Sequence, residues 1–234
     1  MKKLIIVTAL LCVFTTPKLV YASDIEPEYE EYDSEYIYND MDYDPENNLD
    51  EFDAVSQFDE EITEHKNSAG KKWNDRACVA TSVSLMIVRK AYLEGFSYGG
   101  DLFSDDAVID VLKEISNQST MFVQREKDLC WTGYCTVSTL TRDGMPYNAQ
   151  IQRESVSEEN LEFLLKENPE GILVLGRHNS WKHGVLVTKS FGDGTYEVYD
   201  SATGNVECRE YNYLNGYKNS SKTYQFASLV SGLN

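Results

Sequence analysis

The sequence predicts an α+β domain, and three observations carry that expectation. Segments of helical period come first, around residues 74–93, 105–116 and 157–168. Short apolar runs of strand character follow, GILVLG at 171–176, HGVLVTKSF at 183–191 and TYEVYD at 195–200. Helices followed by an antiparallel sheet describe a domain of two packed halves. The third observation is the placement of charge. The 234-residue chain has a formal net charge of −18, yet residues 23–64 hold 8 Asp and 10 Glu with no Lys or Arg, while residues 65–234 hold 18 basic and 21 acidic residues. That nearly neutral stretch is long enough for one domain with a real core.

The first residues read MKKLIIVTALLCVFTTPKLVYASD. Two lysines, an apolar run from Leu4 to Phe14 and a closing Val20-Tyr21-Ala22 have the plan of a secretory signal peptide over residues 1–22, cut after Ala22. The run is too short to span a bilayer, which takes about 20 residues. Cys12 follows Leu11, where a lipoprotein signal takes a small residue. The expected product is secreted and needs no membrane after cleavage.

Residues 23–64 show no clean period of two or 3.6, and their like charges predict disorder by self-repulsion. As a solvated spacer the acidic tail needs no partner. As a pro-segment or partner-binding tail it uses Tyr29, Tyr32, Tyr36, Tyr38, Tyr43, Phe52 and Phe58 to enter its own groove or a partner's. The stretch Leu49 to Ile62 has room for a short helix. Without a basic footprint, nucleic acid is not an expected partner.

Within residues 65–234, Asn74 or Asp75 caps a helix that runs to about Leu93 and stops at Gly95. Val79, Ala80, Val83, Met86, Ile87 and Ala91 make it apolar nearly all round, so it is expected to be buried and central. Ser104 caps a second helix, DDAVIDVLKEIS. Residues 120–135 read as irregular, Val137–Arg142 as a short helix ended by Asp143-Gly144, and Asn148–Gln152 as a strand. Ser157 caps EENLEFLLKEN, which Pro169 ends. The runs at 171–176, 183–191 and 195–200 are strands, the last two joined by a turn at Gly192-Asp193-Gly194, with further strands near 206–211 and 223–229.

Cys78 then lies in the first turn of the central helix, where unpaired N–H groups and the helix dipole favour an anion. A nucleophilic cysteine also needs a base and a group to orient that base. His183 opens one strand and Asp200 closes its antiparallel partner, so the hairpin brings the two side by side. Alternatives stay open. Four cysteines outside the signal peptide allow disulfides, and Cys130 and Cys135 bracket a loop that a bridge can close. Cys78 is then a nucleophile, half of a disulfide or a small core residue. His178, in the expected loop GRHNSWKHG, is the rival base, and Trp181 in the same loop either lines a groove or packs on its own domain. No zinc-ligand spacing, phosphate-cradling glycine loop or nucleophile-elbow serine is present.

Cysteine at the start of a buried helix, the GILVLG strand and then HGVLVTKSFGDGTYEVYDSATG resemble the papain-like cysteine peptidases over about residues 73–204. The likeness is nearest to the branch of the bacteriocin-leader-processing peptidases. It implies a papain-like fold in which an N-terminal helical half carries Cys78 as nucleophile and a C-terminal sheet carries His183 as base and Asp200 as orienter. It further implies an exported bacterial enzyme that hydrolyses a peptide or protein substrate through an acyl-enzyme and needs no cofactor or metal. The sequence departs from the family at two positions. Lys72 stands where the family has its oxyanion glutamine, which leaves Asn74 either as a substitute donor or as a helix cap, and leaves the Cys78 backbone N–H as a second candidate. Ser201 follows Asp200 where the family commonly has proline. Two rivals follow: the same scaffold with other acyl chemistry (a peptidoglycan amidase, deamidase or transglutaminase-like toxin), or a catalytically inactive binding module.

Overall fold

The structure is a computed structural model. It describes residues 49–66, 70, 72–73, 76–118, 123–124, 129–130, 133–154, 156–178, 181–215 and 227–232. The fold is α+β, as the sequence predicts. A 3-10 turn at Leu49–Glu51 and helix α1 (Glu60–Glu64) precede the central helix α2 (Cys78–Leu93). Strand β1 (Ser97–Tyr98), helix α3 (Asp105–Ser116) and the short strands β2 (Val123–Gln124) and β3 (Leu129–Cys130) follow. The long strands β4 (Gly133–Arg142) and β5 (Met145–Glu154) lead to α4 (Glu158–Glu167). The chain then makes β6 (Ile172–His178), β7 (Trp181–Ser190), β8 (Thr195–Asp200), β9 (Asn205–Glu210), α5 (Tyr211–Asn215) and β10 (Ala227–Gly232). One antiparallel sheet runs in the order β1-β4-β5-β10-β6-β7-β8-β9, and β2 pairs separately with β3.

The middle of that sheet is covered on both faces, which is why its strands read as unbroken apolar runs rather than alternating ones. Leu173, Leu175, Leu186 and Tyr199 join a core with α2 and α3. Their neighbours Ile172, Val174, Val185, Val187, Tyr196 and Val198 join a second core with Leu161, Leu164 and Leu165 of α4 and Tyr211 and Leu214 of α5. The start of α4 follows its sequence signal: Ser157 and Asn160 form a reciprocal capping box.

Several expectations are corrected. The domain does not begin at residue 65. Leu49, Phe52, Val55 and Ile62 are buried in the same core as α2 and α3, so residues 49–64 form a strap that is part of the domain. Acidic side chains hid a run of apolar residues spaced by three, Leu49, Phe52 and Val55, between exposed Asp50, Glu51 and Asp53. Residues 23–48 of the expected tail, and the expected signal peptide, lie outside the described residues. The short helix expected over Val137–Arg142 is strand. Val137 and Leu140 are buried while Thr136 and Ser138 are exposed, and β-branched residues suit a pleated, half-buried surface. Asp143-Gly144 is a hairpin turn rather than a helix end, with φ of 52° and 75°, and Arg142 pairs with Met145 across it. Two positive φ values are what a two-residue type I′ loop demands. Helix α2 begins at Cys78, with Ala77 at its N-cap, rather than at Asn74 or Asp75, which lie outside the described residues. The expected loop at 176–184 is largely hairpin stem, with His178 opposite Trp181 and Gly176 opposite His183.

One buried cation fastens the strap. Arg89 of α2 donates to the carbonyls of Leu49 and Glu170, both at 2.9 Å, and to the Tyr199 hydroxyl at 3.3 Å. Its guanidinium lies 5.6 Å from the Phe52 ring centre and 5.2 Å from that of Tyr199. Carbonyl oxygens and aromatic faces offset the cost of burying the charge, which would be large if it were unpaired.

Helix α2 reaches the sheet at a glycine. A Cβ on Gly184 would sit 2.8 Å from both Val79 Cγ2 and Leu175 Cδ2. The missing side chain lets α2 lie on the β7 backbone, where Ser82 Oγ donates to the Gly184 carbonyl at 3.3 Å. Gly184→Ala is expected to cost about 1–3 kcal/mol by overpacking, read by urea denaturation. Gly99→Ala, with open space around it, is the control and is expected to be near neutral. Phe52→Ala is expected to cost about 3–5 kcal/mol, whereas an unpacked tail residue would cost nothing measurable.

Candidate active site

The register of the sheet sets two of the three expected site residues. Leu186 pairs with Tyr199 and Val187 with Val198, which places Asp200 opposite Val185 and diagonal to His183. Alternation puts His183 and Asp200 on the face that carries Val185 and Val198, within side-chain reach of each other. His183 Nε2 and Asp200 Oδ1 are 2.7 Å apart, and both residues are buried. Cys78, the first residue of α2 and only partly buried, lies close enough to the same imidazole to raise its pKa. With Nε2 committed to Asp200, Nδ1 is the nitrogen left for the thiol. A cysteine, a histidine and an aspartate from three elements are therefore brought together.

The electrostatics follow from that arrangement. Burial alone would lower the His183 pKa, but the hydrogen bonds to Asp200 and Cys78 and the charges of both reverse the effect and raise it to about 9. Burial likewise opposes ionisation of Asp200. The His183 hydrogen bond and charge, the Tyr213 hydroxyl and the Ala202 N–H overcome it and hold Asp200 below the usual carboxylate value. The pair is thus held as imidazolium and carboxylate, which keeps a proton on Nε2 and orients the ring.

Four groups outside the expected triad complete the surroundings. Tyr213 of α5 donates its hydroxyl to Asp200 Oδ2. The Ala202 N–H donates to Asp200 Oδ1 at 2.8 Å. Ser201 Oγ donates to the Cys78 carbonyl at 3.4 Å and lies the same distance from Gln57 Oε1. The Gln57 N–H donates to the Ser201 carbonyl at 2.8 Å, so the strap is stitched to the residue beside Asp200. A tyrosine 13 positions after the aspartate and a glutamine 21 positions before the cysteine carry no local pattern, and only the tertiary fold brings them in.

The remaining candidates are placed as follows. Asn74, the expected oxyanion donor or cap, lies outside the described residues. Lys72 is exposed and paired with Glu64. His178 lies in β6, and its side chain, like that of Trp181, is outside the described residues. Cys135, half of the expected loop bridge, is a free thiol in the core, its pKa pushed up to about 12 by burial. The Cys130 side chain lies outside the described residues. Cys78 and Cys208 are free. Among the described residues no group of three or more His, Cys, Asp or Glu is arranged to hold a metal ion, and no helix is long and apolar enough to cross a membrane.

The raised His183 pKa predicts a pH dependence of stability. Folded His183 keeps its proton up to about pH 9, while its ordinary value is 6.5. Between these values the folded state binds more protons than the unfolded state, so stability falls as pH rises through the window. The contribution is complete below about pH 6.5 and is lost above about pH 9. A Cys78 thiolate in the folded state lacks its own proton, so the slope falls short of one full proton. Thermal melts over this range are expected to show a falling midpoint in the wild type and a flatter one in His183→Gln.

No family model matches the chain, and no curated protein is significantly similar to it.

Proposed function

We propose that the chain is an exported cysteine peptidase of papain-like type, with Cys78 as nucleophile, His183 as base and Asp200 as orienter. The observation that carries this reading is the His183 ring, hydrogen-bonded to buried Asp200 through Nε2 at 2.7 Å, with Cys78 at the head of α2 close enough to raise its pKa. A nucleophile, a base and an orienter in mutual reach are the requirements of covalent acyl transfer.

In the proposed reaction the Cys78 sulfur attacks the carbonyl carbon of a peptide bond and the electron pair moves to oxygen. The first backbone N–H groups of α2 have no partner within the helix, so that of Cys78 is the nearest candidate to receive the oxyanion. The tetrahedral intermediate collapses, the C–N bond breaks, and His183 gives its proton to the departing amine. Water then attacks the thioester with His183 taking its proton. Cys78 leaves as thiolate and the acid product is released. The side chain at the family's glutamine position, Lys72, pairs with Glu64, so the backbone donor carries more of this role than in a family member with the glutamine. The secretory reading of residues 1–22 makes the substrate an extracellular peptide or protein.

Brief exposure of the non-reduced protein to iodoacetamide near pH 5.5, with adducts located by peptide mass spectrometry, tests the reading. An ordinary thiol of pKa about 8.5 is only about one-thousandth thiolate at that pH. Rapid labelling at Cys78 that disappears in His183→Ala is expected. So is hydrolysis of a mixed quenched-peptide library that Cys78→Ala abolishes. Slow labelling unaffected by His183→Ala would sink the peptidase reading and favour a binding module.

A further inference from the structure

We propose that Tyr213 is a positioning residue of this site: its hydroxyl fixes the orientation and charge of the Asp200–His183 pair. The proposal rests on the peptidase reading for its catalytic meaning, though not for its geometry. Asp200 is 1 % exposed, so its carboxylate has no bulk water to satisfy it. Oδ1 is shared by His183 Nε2 and the Ala202 N–H, while Oδ2 accepts from the Tyr213 hydroxyl. Without that third donor the carboxylate can turn about its terminal bond and lose its alignment with the imidazole. A buried carboxylate oxygen left without a donor also favours the protonated form of the acid.

The tyrosine is itself held. Arg209 of β9 lies 4.7 Å from the centre of its ring, and Arg209 Nε donates to Glu207 Oε2 at 2.7 Å. Glu207 Oε1 accepts from Thr203 Oγ1 at 2.8 Å, and the Thr203 N–H donates to the Asp200 carbonyl at 3.2 Å. The interactions close a ring, from Asp200 through Tyr213, Arg209, Glu207 and Thr203 back to Asp200, around the β8–β9 turn. Burial, and then the bond to Asp200, push the Tyr213 pKa up, so the hydroxyl remains a donor across the working range. Among the described residues, the charged and titratable groups around Asp200 are Cys78 from α2, His183 from β7, Glu207 and Arg209 from β9, and Tyr213 from α5. Tyr213 is the one that adds a donor without adding a charge.

The test is Tyr213→Phe in the full chain, which removes one oxygen and keeps the ring under Arg209. Two readouts are taken: the His183 titration midpoint by histidine-selective NMR, and the pH profile of Cys78 alkylation by iodoacetamide. The expected result is a His183 midpoint lowered by about one pH unit, with the step in the alkylation profile that follows the same ionisation displaced downward with it and Asp200→Asn moving both further in the same direction. An unchanged midpoint and profile, with only the melting temperature lowered, would make Tyr213 a packing residue and overturn the proposal. Should wild-type Cys78 prove unreactive at low pH, the peptidase reading fails, and the NMR midpoint alone decides whether Tyr213 sets the pair. If Tyr213→Phe does not fold, Arg209→Gln, which frees the ring, is expected to move the His183 midpoint down by a smaller step. No movement there overturns the proposal as well.

Discussion

The approach of α2 to β7 at Gly184 is the constraint on which the rest depends. Val79 and Leu175 fill the space that any side chain at 184 would take. Because the helix rests on strand backbone there, its first residue reaches the imidazole one position before the glycine. A wider gap would leave Cys78 and His183 each well folded and out of range. The meeting of Cys78, His183 and Asp200 is therefore set by the absence of an atom as much as by the residues that form it, and a single methyl group is enough to disturb it.

The second organising fact is that buried charge is answered locally wherever it occurs. Asp200 takes three donors, one of them an imidazolium. Arg89 takes carbonyls and ring faces in place of a carboxylate. Glu170 is less complete: it is fully buried, lies 3.2 Å from Lys90 Nζ, and its oxygens lack a well-directed hydrogen bond. Burial raises its pKa accordingly. Each of these groups sits where α2 meets another element, which ties charge placement to the docking of that helix.

Much of the site was legible because its parts carry strong local signals. The GILVLG and HGVLVTKSF runs are short, apolar and bounded by turn residues, and a glycine-rich turn fixes the hairpin that pairs His183 with Asp200. Cys78 stood out as a lone cysteine entering an apolar helix. What was missed had weaker or misleading signals. The Asp143-Gly144 pair ends a helix or turns a hairpin with equal ease, and a register shift between Val137 and Thr141 leaves Val137 and Leu140 buried three apart, a spacing that reads as helical. Acidic residues masked the apolar spacing of Leu49, Phe52 and Val55. Tyr213 and Gln57 reach the site only through α5 and the strap, and no spacing along the chain encodes that.

The Arg89 knot also has a mechanical meaning. It ties the strap at Leu49 to the far part of α2, 11 residues beyond Cys78 and so about 16 Å along the helix axis. Tension arriving from the N-terminal side of Leu49 is taken up first by the guanidinium and its carbonyls. The load passes into the body of the helix and the sheet behind it before it reaches the thiol. The chain ahead of the strap can thus be gripped or towed at the root of the domain while Cys78 and the groups beside it, at the other end of the same helix, stay in register.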